Sequence, residues 1–539
     1  MLKNVIPFLK NNIKAFLALL TVLIGLLLFF PQVNYLDYIA QGDHGRDLYA
    51  FARAYEGDLP YQDYWWEYGP LTPYYYGAFF KLLGTDLTSI LFAELVLILA
   101  SGLFIYFAVS TFSGPLLAFS GALFFFAYYP FFYFTFNHAA GIAAISYFLF
   151  CLLLYFKNPK IRYLYLSLIS IFLLCLIKIN FGICNLIGLA ISVLLIDSLY
   201  NRPLDNQKKK FYAISLLAVP LCVFGVYFFL LHNLTLYEIN QCLPYLSSDQ
   251  FCNISVLSAL NLIFKKINPA ALLNPAILFF SAIIAFSIMQ MVPYKRTSEP
   301  DRLLKRKNCM TAIILLGFCI INTHEFLFSG VKYRLLWAIP FAVLLMFFFV
   351  STAIKRTSFF ISTLLSIGIA FFSILVAIDR SFICHKNKIP ENFLSLDRTN
   401  IFTINPADWK DTVKNTTSFL KNNLKSNETF FALPYDPLYY YLTGRKSPTR
   451  QIIFFEYMNI PAEQEEKIIS ELEEQKINWV LISSRSNSRE NGLGIFGKTH
   501  CALIGKYIKD NFKLAAQFGD WKNEPGWASK HGIRILRRK

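Results

Sequence analysis

Apolar runs of membrane-spanning length recur along the chain up to about residue 378, and no other feature constrains the fold as much. The hydrocarbon layer of a bilayer is about 30 Å thick, so an α-helix needs roughly 20 apolar residues to cross it. The hydrophobic fraction, 55% of 539 residues, is also higher than in ordinary soluble proteins. The runs cover residues 15–31, 87–109, 114–134, 139–156, 163–180, 183–200, 212–231, 270–291, 309–326, 334–353 and 357–378. They predict a polytopic α-helical membrane protein with about eleven transmembrane helices.

The segments between the apolar runs carry a charge pattern that predicts their orientation. Apart from one short uncharged segment, alternate ones are basic: 157–162, 201–210, 293–308 and 355–356. Lysine and arginine accumulate in cytoplasmic loops, so these segments and the N-terminus are predicted to be cytoplasmic. The first run has no small-residue cleavage site after it and is therefore predicted to be a signal anchor. Residues 32–86 would then form an outward loop.

The formal net charge of +17 could suggest a nucleic-acid partner. Basic residues lie between the apolar runs rather than on one patch, which argues against a nucleic-acid partner. The partner that this distribution indicates is the lipid bilayer.

The composition changes near residue 379, where charged residues and asparagine become frequent and apolar runs shorten. We therefore divide the chain into a transmembrane domain, residues 1–378, and an extracytoplasmic α/β domain, residues 379–539. Residues 429–434 and 479–483 are predicted to be strands. Helices are predicted over 461–475, which has an amphipathic pattern, and over 499–512.

The outward loop concentrates carboxylates in a chain otherwise dominated by hydrocarbon. Apolar residues at helical spacing predict a helix over 44–56 that ends at Gly57, with Asp43 as its N-cap. A second helix, from about Pro73 to Lys81, is rich in tyrosine and phenylalanine and should end at Gly84. Such aromatic, half-apolar helices prefer the boundary between membrane and water.

The order of short motifs in this loop is distinctive. Asp43-His44 comes first and is followed by the sequence Gly-Asp-Leu-Pro-Tyr-Gln-Asp over 57–63, by Gly-Pro and the tyrosine-rich helix, and by Phe-Lys-Leu-Leu-Gly over 80–84. This order resembles the first outward loop of the C-type integral-membrane glycosyltransferases. The subgroup that it suggests includes the bacterial protein-mannosyltransferase-like and lipid A aminoarabinose-transferase-like enzymes. The stretch LPYDPLYYYLTGR, at 433–445, resembles the soluble domain that ends many bacterial members.

The resemblance implies a function. These enzymes take a sugar from a polyprenyl-phosphate carrier, so the chain would transfer a sugar, with inversion, to an extracytoplasmic acceptor at the bacterial inner membrane. The acceptor would be a glycan, a lipid or a protein of the cell envelope. No Asp-x-Asp pair occurs in the sequence, although enzymes that use nucleotide sugars commonly hold a divalent metal with one. No cofactor is required, and a divalent metal is possible but not implied.

Transfer to a hydroxyl needs a base, and the loop offers candidates. Asp43 matches the family's loop carboxylate, and Asp47, one helical turn later, could support or replace it. His44 stands where relatives often have glutamate. Asp63 also matches a family position, but it could instead cap a turn or pair with Arg46 or Arg53. Glu67 of the loop and His138, at a predicted outer turn, complete the polar residues assigned to substrate binding.

Basic residues on the outward side violate the charge rule and suggest a phosphate ligand. They are Lys178, Lys332 and Arg334, of which the arginine can grip phosphate in two-pronged fashion. The alternative is that they reach lipid headgroups or pair with Glu67, Glu94 or Glu325. Glu94 lies inside a span, where an acid is a functional candidate or a buried hydrogen-bond partner.

Other interpretations of the chain remain open at this stage. Cys242 and Cys252 could form a disulfide outside the cytoplasm or stay as two thiols. An O-antigen ligase or polymerase is an alternative function, although such enzymes usually carry their large outward segment among the helices. A secondary transporter would place charges and helix breaks at mid-bilayer in paired halves, whereas here the charges crowd the predicted outer rim. A non-catalytic membrane protein would leave unexplained the carboxylates of the outward loop, residues 32–86, which we call the acidic loop.

Overall fold

A computed structural model describes residues 2–129, 136–199, 206–243, 299–329, 332–354, 359–487, 493–522, 529 and 531–539. The chain divides into two compact units. The helical unit comprises the described residues of 1–31, 94–227 and 248–382. The loop-and-sheet unit comprises those of 32–93, 228–247 and 383–539.

Long apolar helices dominate the part of the chain before residue 388. They are α1 (Leu2–Phe29), α4 (Leu87–Val109), α5 (Pro115–Tyr128), α6 (Asn137–Lys157), α7 (Ile161–Ile177), α8 (Ile179–Leu199), α10 (Val219–Leu231), α12 (Glu299–Ile321), α14 (Ile339–Ile354) and α15 (Phe359–Asn387). The short, lysine-rich helix α9 (Asn206–Ala213) precedes α10. A π-helical turn, Ile214–Ala218, joins α9 to α10. Between them lie the short helices α11 (Leu236–Cys242) and α13 (His324–Ser329) and the 3-10 helix Lys332–Ala338.

These helices make the chain an integral membrane protein. Six helical segments of the described residues are long and apolar enough to cross a membrane, and four shorter apolar helices accompany them. Each predicted span that falls on described residues overlaps one of these helices. The span predicted at 270–291 and much of the outward segment before it lie outside the described residues, so the total of about eleven stays a prediction.

The helical unit is held together by close contacts at small residues and by polar side chains, as is common where lipid surrounds the helices. Gly141 of α6 packs against the indole of Trp337, and an added Cβ would come within 2.2 Å of that ring. Asn185 of α8 and Asn322 exchange amide hydrogen bonds of 2.9 and 3.3 Å. Both asparagines are fully buried, so these bonds satisfy groups that lipid could not.

The loop-and-sheet unit begins with the acidic loop. Helix α2 (Asp43–Tyr55) and helix α3 (Leu71–Leu83) lie where the periodicity predicts them. Gly57 and Gly84 follow them with φ of +97° and +92°, a conformation that side chains with a Cβ rarely adopt. The prediction that Asp43 caps α2 is wrong: Gly42 is the N-cap, and no side chain caps the helix. Asp43 is instead the first helical residue, and its side chain makes tertiary contacts.

The rest of the loop-and-sheet unit follows α15. The antiparallel hairpin β1 (Phe393–Leu396) and β2 (Thr399–Phe402) comes first. The strands β3 (Phe431–Leu433), β4 (Trp479–Ser483), β5 (Phe512–Gly519) and β6 (Gly532–Arg538) form a sheet in the order β3-β4-β6-β5. Only the β3–β4 pair is parallel. The helices are α16 (Ala407–Asn423), α17 (Leu438–Thr443), α18 (Ala462–Glu474) and α19 (Ala502–Asn511).

The sheet packs on an apolar core that the sequence pattern anticipates. Ile468 and Leu472 of the amphipathic helix α18 and Ile504 of α19 are buried against Phe431 and Val480. The two predicted strands and the two predicted helices of this region are therefore present. The division of domains at residue 379 and the extracytoplasmic position of this region remain predictions.

The acidic loop and the C-terminal residues form one body within this unit. The side chain of Asn405 accepts a bond of 2.8 Å from the amide of Ile39 and donates one of 3.1 Å to its carbonyl. Further along, the amide of Leu438 donates to the carbonyl of Gln41. The start of α2 is thus fixed by residues that lie several hundred positions away in the sequence.

Candidate functional site

Three carboxylates of the acidic loop lie around one buried guanidinium, that of Arg46. Its Nε and Nη2 both lie 2.8 Å from Oδ1 of Asp47, the next residue along α2. Nη1 donates to Glu67 and lies 3.9 Å from Oδ1 of Asp43. The Arg46 side chain is 3% exposed, so these carboxylates provide the pairing that a buried cation needs. We call Asp43, Arg46, Asp47 and Glu67 the carboxylate cluster.

Aromatic side chains surround the cluster. The guanidinium carbon of Arg46 lies 4.9 Å from the ring centre of Tyr68 and 5.8 Å from that of Trp66, within the range of cation–π attraction. From the C-terminal residues, the hydroxyl of Tyr435 donates a hydrogen bond of 3.2 Å to Oδ1 of Asp43.

The two predicted base candidates sit in different environments. Asp47 is completely buried; burial raises its pKa, the charge of Arg46 opposes that rise, and the result is a pKa of about 7. The Asp43 side chain is 37% exposed. An acceptor hydroxyl could reach Asp43 from solvent, whereas Asp47 contacts Arg46 inside the protein.

His44 and Asp63 make local contacts with the backbone. The ring Nδ1 of His44 accepts a bond of 2.9 Å from the amide of Ala40, and the side chain is 1% exposed. Asp63 Oδ2 accepts a bond of 2.7 Å from the amide of Leu59. Asp63 therefore caps a turn, one of the alternatives that the sequence left open.

In the helical unit, the predicted outer turns meet in a second group of polar side chains. Lys178, between α7 and α8, places its Nζ 2.6 Å from Oε1 and 2.8 Å from Oε2 of Glu325 on α13. Asn180 donates to Oε1 of the same carboxylate at 3.0 Å and lies 2.9 Å from Nε2 of His324. Both members of the ion pair are buried, at 8% and 3% side-chain exposure. The pairing of Lys178 with Glu325 is one of the alternatives considered for the outward basic residues.

Aromatic rings line this ion pair. Lys178 Nζ lies 5.4 Å from the ring centres of both Phe181 and Trp337, which stack at 4.0 Å. His138 is buried, with Nδ1 2.9 Å from the side-chain oxygen of Asn137 and its ring 5.2 Å from that of Trp337. His138 therefore belongs to the same group as Lys178.

The remaining predicted residues have simpler settings. Arg334 is half-buried in the 3-10 helix Lys332–Ala338. The side chain of Lys332 lies outside the described residues. Glu94 is buried within α4. Cys242 is a buried thiol 3.6 Å from Nη1 of Arg450, and its possible partner Cys252 lies outside the described residues.

The structure adds residues that the sequence analysis did not assign to the site. The sequence presents Arg46 and Glu325 only as partners for other charges, and Tyr435 only within a stretch that resembles the soluble domain of the family. The separation of 392 positions between Asp43 and Tyr435 leaves no spacing signal that could have joined them. Within the described ranges, no group of three or more His, Cys, Asp or Glu side chains is suited to a metal ion.

Comparison with solved structures identifies similar folds. ArnT from Cupriavidus metallidurans, solved bound to undecaprenyl phosphate, matches with a TM-score of 0.53 and 10% identity, over 97% of each chain. The oligosaccharyltransferase AglB from Archaeoglobus fulgidus, solved with an inhibitory peptide and a dolichol-phosphate, matches with a TM-score of 0.51 and 13% identity. That match covers 93% of this chain and 72% of AglB. No protein family model and no curated protein sequence matches. At such low identity, the two likenesses show a shared fold.

Proposed function

We propose, from the premise that the chain has the fold of the C-type integral-membrane glycosyltransferases, that it transfers a sugar from a polyprenyl-phosphate donor. The acceptor would be an extracytoplasmic glycan, lipid or protein, and the transfer would invert the anomeric carbon. Two neighbours of the same fold support the lipid-linked donor, since one was solved with undecaprenyl phosphate and the other with a dolichol-phosphate.

The observation that carries this proposal is a partly exposed carboxylate beside a buried cation in the acidic loop. Inverting transfer needs a base to take the proton of the acceptor hydroxyl as its oxygen attacks the anomeric carbon. The bond between that carbon and the phosphate oxygen breaks, and the electron pair leaves with the polyprenyl phosphate. Asp43 is the best base of the carboxylate cluster because its side chain is 37% exposed, whereas that of Asp47 is 0% exposed. Asp47 would hold Arg46 in place.

Of the loop residues assigned to substrate binding, Glu67 is the best placed. Glu67 is 25% exposed while contacting Arg46, so one of its oxygens could accept from a sugar or acceptor hydroxyl. His44 and Asp63 each accept a bond from a backbone amide, which supports an indirect role in shaping the loop better than direct contact with a substrate.

The phosphate of the donor needs a cation to bind it, and the basic residues of the helical unit are the candidates. Arg334 is the best candidate, since guanidinium groups bind phosphate in two-pronged fashion. Lys332 is a second candidate beside it in sequence. The charge of Lys178 is balanced by Glu325, so Lys178 and His138 are better suited to shaping a phosphate site than to carrying its charge.

The proposed location is the bacterial inner membrane, with a cytoplasmic N-terminus and the C-terminal residues outside. Reporter fusions test this orientation. Fusions after Lys210 and Lys307 should report the cytoplasm, and fusions after Ser248 and Lys539 should report the outside. A cytoplasmic signal after Lys539 would put the sheet on the wrong side for this reaction.

The activity can be tested with purified protein in lipid vesicles, supplied with radiolabelled polyprenyl-phosphate sugars and with envelope glycans or lipids as acceptors. Transfer of one sugar, with inversion and release of the carrier phosphate, is the expected result, and the Asp43→Asn variant is the control. Transfer of a preassembled oligosaccharide would favour the ligase or polymerase. Movement of the label across the bilayer without bond cleavage would favour a transporter.

A further inference from the structure

The carboxylate proposed as the base is in contact with a residue of the C-terminal part of the chain. The Tyr435 hydroxyl donates to Oδ1 of Asp43 at 3.2 Å, and the Tyr435 side chain is 4% exposed. Tyr435 precedes α17, in the segment that follows β3. Burial raises the pKa of the Tyr435 hydroxyl well above its usual value, despite the opposing charge of Arg46. The hydroxyl therefore stays protonated and can donate at neutral pH.

Besides this hydrogen bond, the backbone at the start of α2 packs closely against the segment that contains Tyr435. At Gly42 an added Cβ would lie 2.6 Å from atoms of the Tyr435 ring. At Gly45, one turn into α2, an added Cβ would lie 2.4 Å from the amide nitrogen of Leu438. The amide of Leu438 donates to the carbonyl of Gln41 at 3.2 Å. Two glycines thus let the first turn of α2 lie directly against residues 435–438.

We propose that Tyr435 is a positioning residue for Asp43, so that the C-terminal residues complete the catalytic site rather than only being attached to it. This inference rests on the proposed function. A hydroxyl bonded to one carboxylate oxygen fixes the plane of the carboxylate and so the direction from which it accepts the proton. It also favours the ionised form, which is the form that acts as a base. Neither contribution requires Tyr435 to touch the substrates.

Several other groups act on the charge of Asp43 and must be kept constant in any test. The charged side chains are Arg46 and Asp47, and the phenols are those of Tyr68 and Tyr457. Glu67 acts through Arg46, which it shares with Asp43. A substitution that removes only the Tyr435 hydroxyl leaves all of them in place. Tyr435→Phe is therefore the informative change, because it preserves the ring that packs on Gly42.

The matched control is Tyr440→Phe. Tyr440 is a buried tyrosine of α17 whose hydroxyl accepts a bond of 2.8 Å from the amide of Ala432, away from the carboxylate cluster. Each variant loses one buried hydroxyl from the same part of the unit: Tyr435→Phe loses the bond to Asp43, and Tyr440→Phe loses the bonds with the Ala432 amide and the Ser447 side chain. A purely structural role for Tyr435 predicts that the two variants behave alike.

The experiment measures transfer by full-length parent and variants in vesicles across a range of pH. Tyr435→Phe should lower kcat by about 10-fold to 100-fold with a smaller change in KM, because the base is misaligned. The acidic limb of its rate profile should move to higher pH, whereas that of Tyr440→Phe should not move. In an Asp43→Asn background, adding Tyr435→Phe should change the residual rate by less than about 2-fold, since it would act through a base already removed.

The outcomes separate this inference from the proposed function. An active parent whose Tyr435→Phe variant matches Tyr440→Phe in kcat and pH profile would overturn the positioning role alone. Equal and additive losses in the parent and Asp43→Asn backgrounds would overturn it as well. A parent that transfers no sugar from any lipid-linked donor would overturn the proposed function and this inference with it.

Discussion

Lys178 and Glu325, which are 147 positions apart in the sequence, form a buried ion pair with Nζ 2.6 Å from Oε1. The pair lies against the rings of Phe181 and Trp337 and receives a further hydrogen bond from Asn180. Each charge therefore has its partner inside the protein. Lys178 therefore stabilises the fold, and any effect that it has on a bound phosphate would be indirect, through the positions of the residues around it.

Breaking this ion pair should destabilise the helical unit. Lys178→Met leaves the Glu325 carboxylate buried without its cation, which typically costs about 3–5 kcal/mol. Adding Glu325→Gln removes the orphaned charge and should recover much of the thermal stability in detergent. If Lys178 were instead a phosphate ligand with little structural role, Lys178→Met would keep the parent's melting temperature and the second substitution would recover nothing.

Substitutions at Asp43 should affect transfer and not folding. Asp43→Asn should lower transfer by roughly 10²-fold to 10⁴-fold, because an amide side chain cannot take up the proton of the attacking hydroxyl. Since Gly42 is the N-cap of α2, Asp43→Ala should not show the loss of about 1 kcal/mol that removing a cap brings. Asp63→Asn, which alters a turn-capping carboxylate of the same loop, is the control and should stay close to the parent. Near-parental transfer by Asp43→Asn would remove Asp43 as the base.

Asp47 should give the protein a stability that depends on pH. Its pKa in the folded state, about 7, is above the ordinary value of 3.8, mainly because of burial. A raised folded-state pKa contributes stability below the unfolded value and loses it as the pH rises through the folded value. Between about pH 4 and about pH 7 the parent's melting temperature should therefore fall with rising pH.

The control for this effect is a pair of matched variants. Asp47→Asn has no carboxyl to titrate, so its melting temperature should change less over the same range. Asp43→Asn should retain most of the parental slope, because the charge of Asp43 raises the pKa of Asp47 less than burial does. Identical slopes for the parent and Asp47→Asn would show that the pH dependence arises elsewhere.

Arg334 should matter for use of the donor. Arg334→Ala should weaken transfer from the polyprenyl-phosphate sugar while folded protein still accumulates in the membrane. Arg334→Lys should restore only part of the activity, because an ammonium group cannot make the two-pronged contact with phosphate. The dependence of rate on donor concentration checks this, with Arg162→Ala, at the start of α7, as a control for loss of a basic residue. If the rate of the Arg334→Ala variant depended on donor concentration as that of the parent does, the alternative that Arg334 contacts lipid headgroups would be favoured.

The features that the sequence determined by itself are those with a local physical cause. An apolar run long enough for the bilayer becomes a helix because lipid offers no partner for an open backbone group. Helix α2 follows from apolar residues at helical spacing, and its end at Gly57 follows from the need for a positive φ. The strand Trp479–Ser483 and the amphipathic helix Ala462–Glu474 were found in the same way.

What only the tertiary structure decided depends on contacts between distant parts of the chain. The sequence pattern made Asp43 an N-cap, because a short acidic side chain before a helix usually bonds the backbone there. Folding places the Tyr435 hydroxyl and the Arg46 guanidinium at that carboxylate instead. Likewise, the sequence showed that Lys178 needs a partner, but several carboxylates were possible, and only the folded structure, which places Lys178 beside α13, selects Glu325. Such pairings depend on which surfaces meet, and local periodicity carries no information about that.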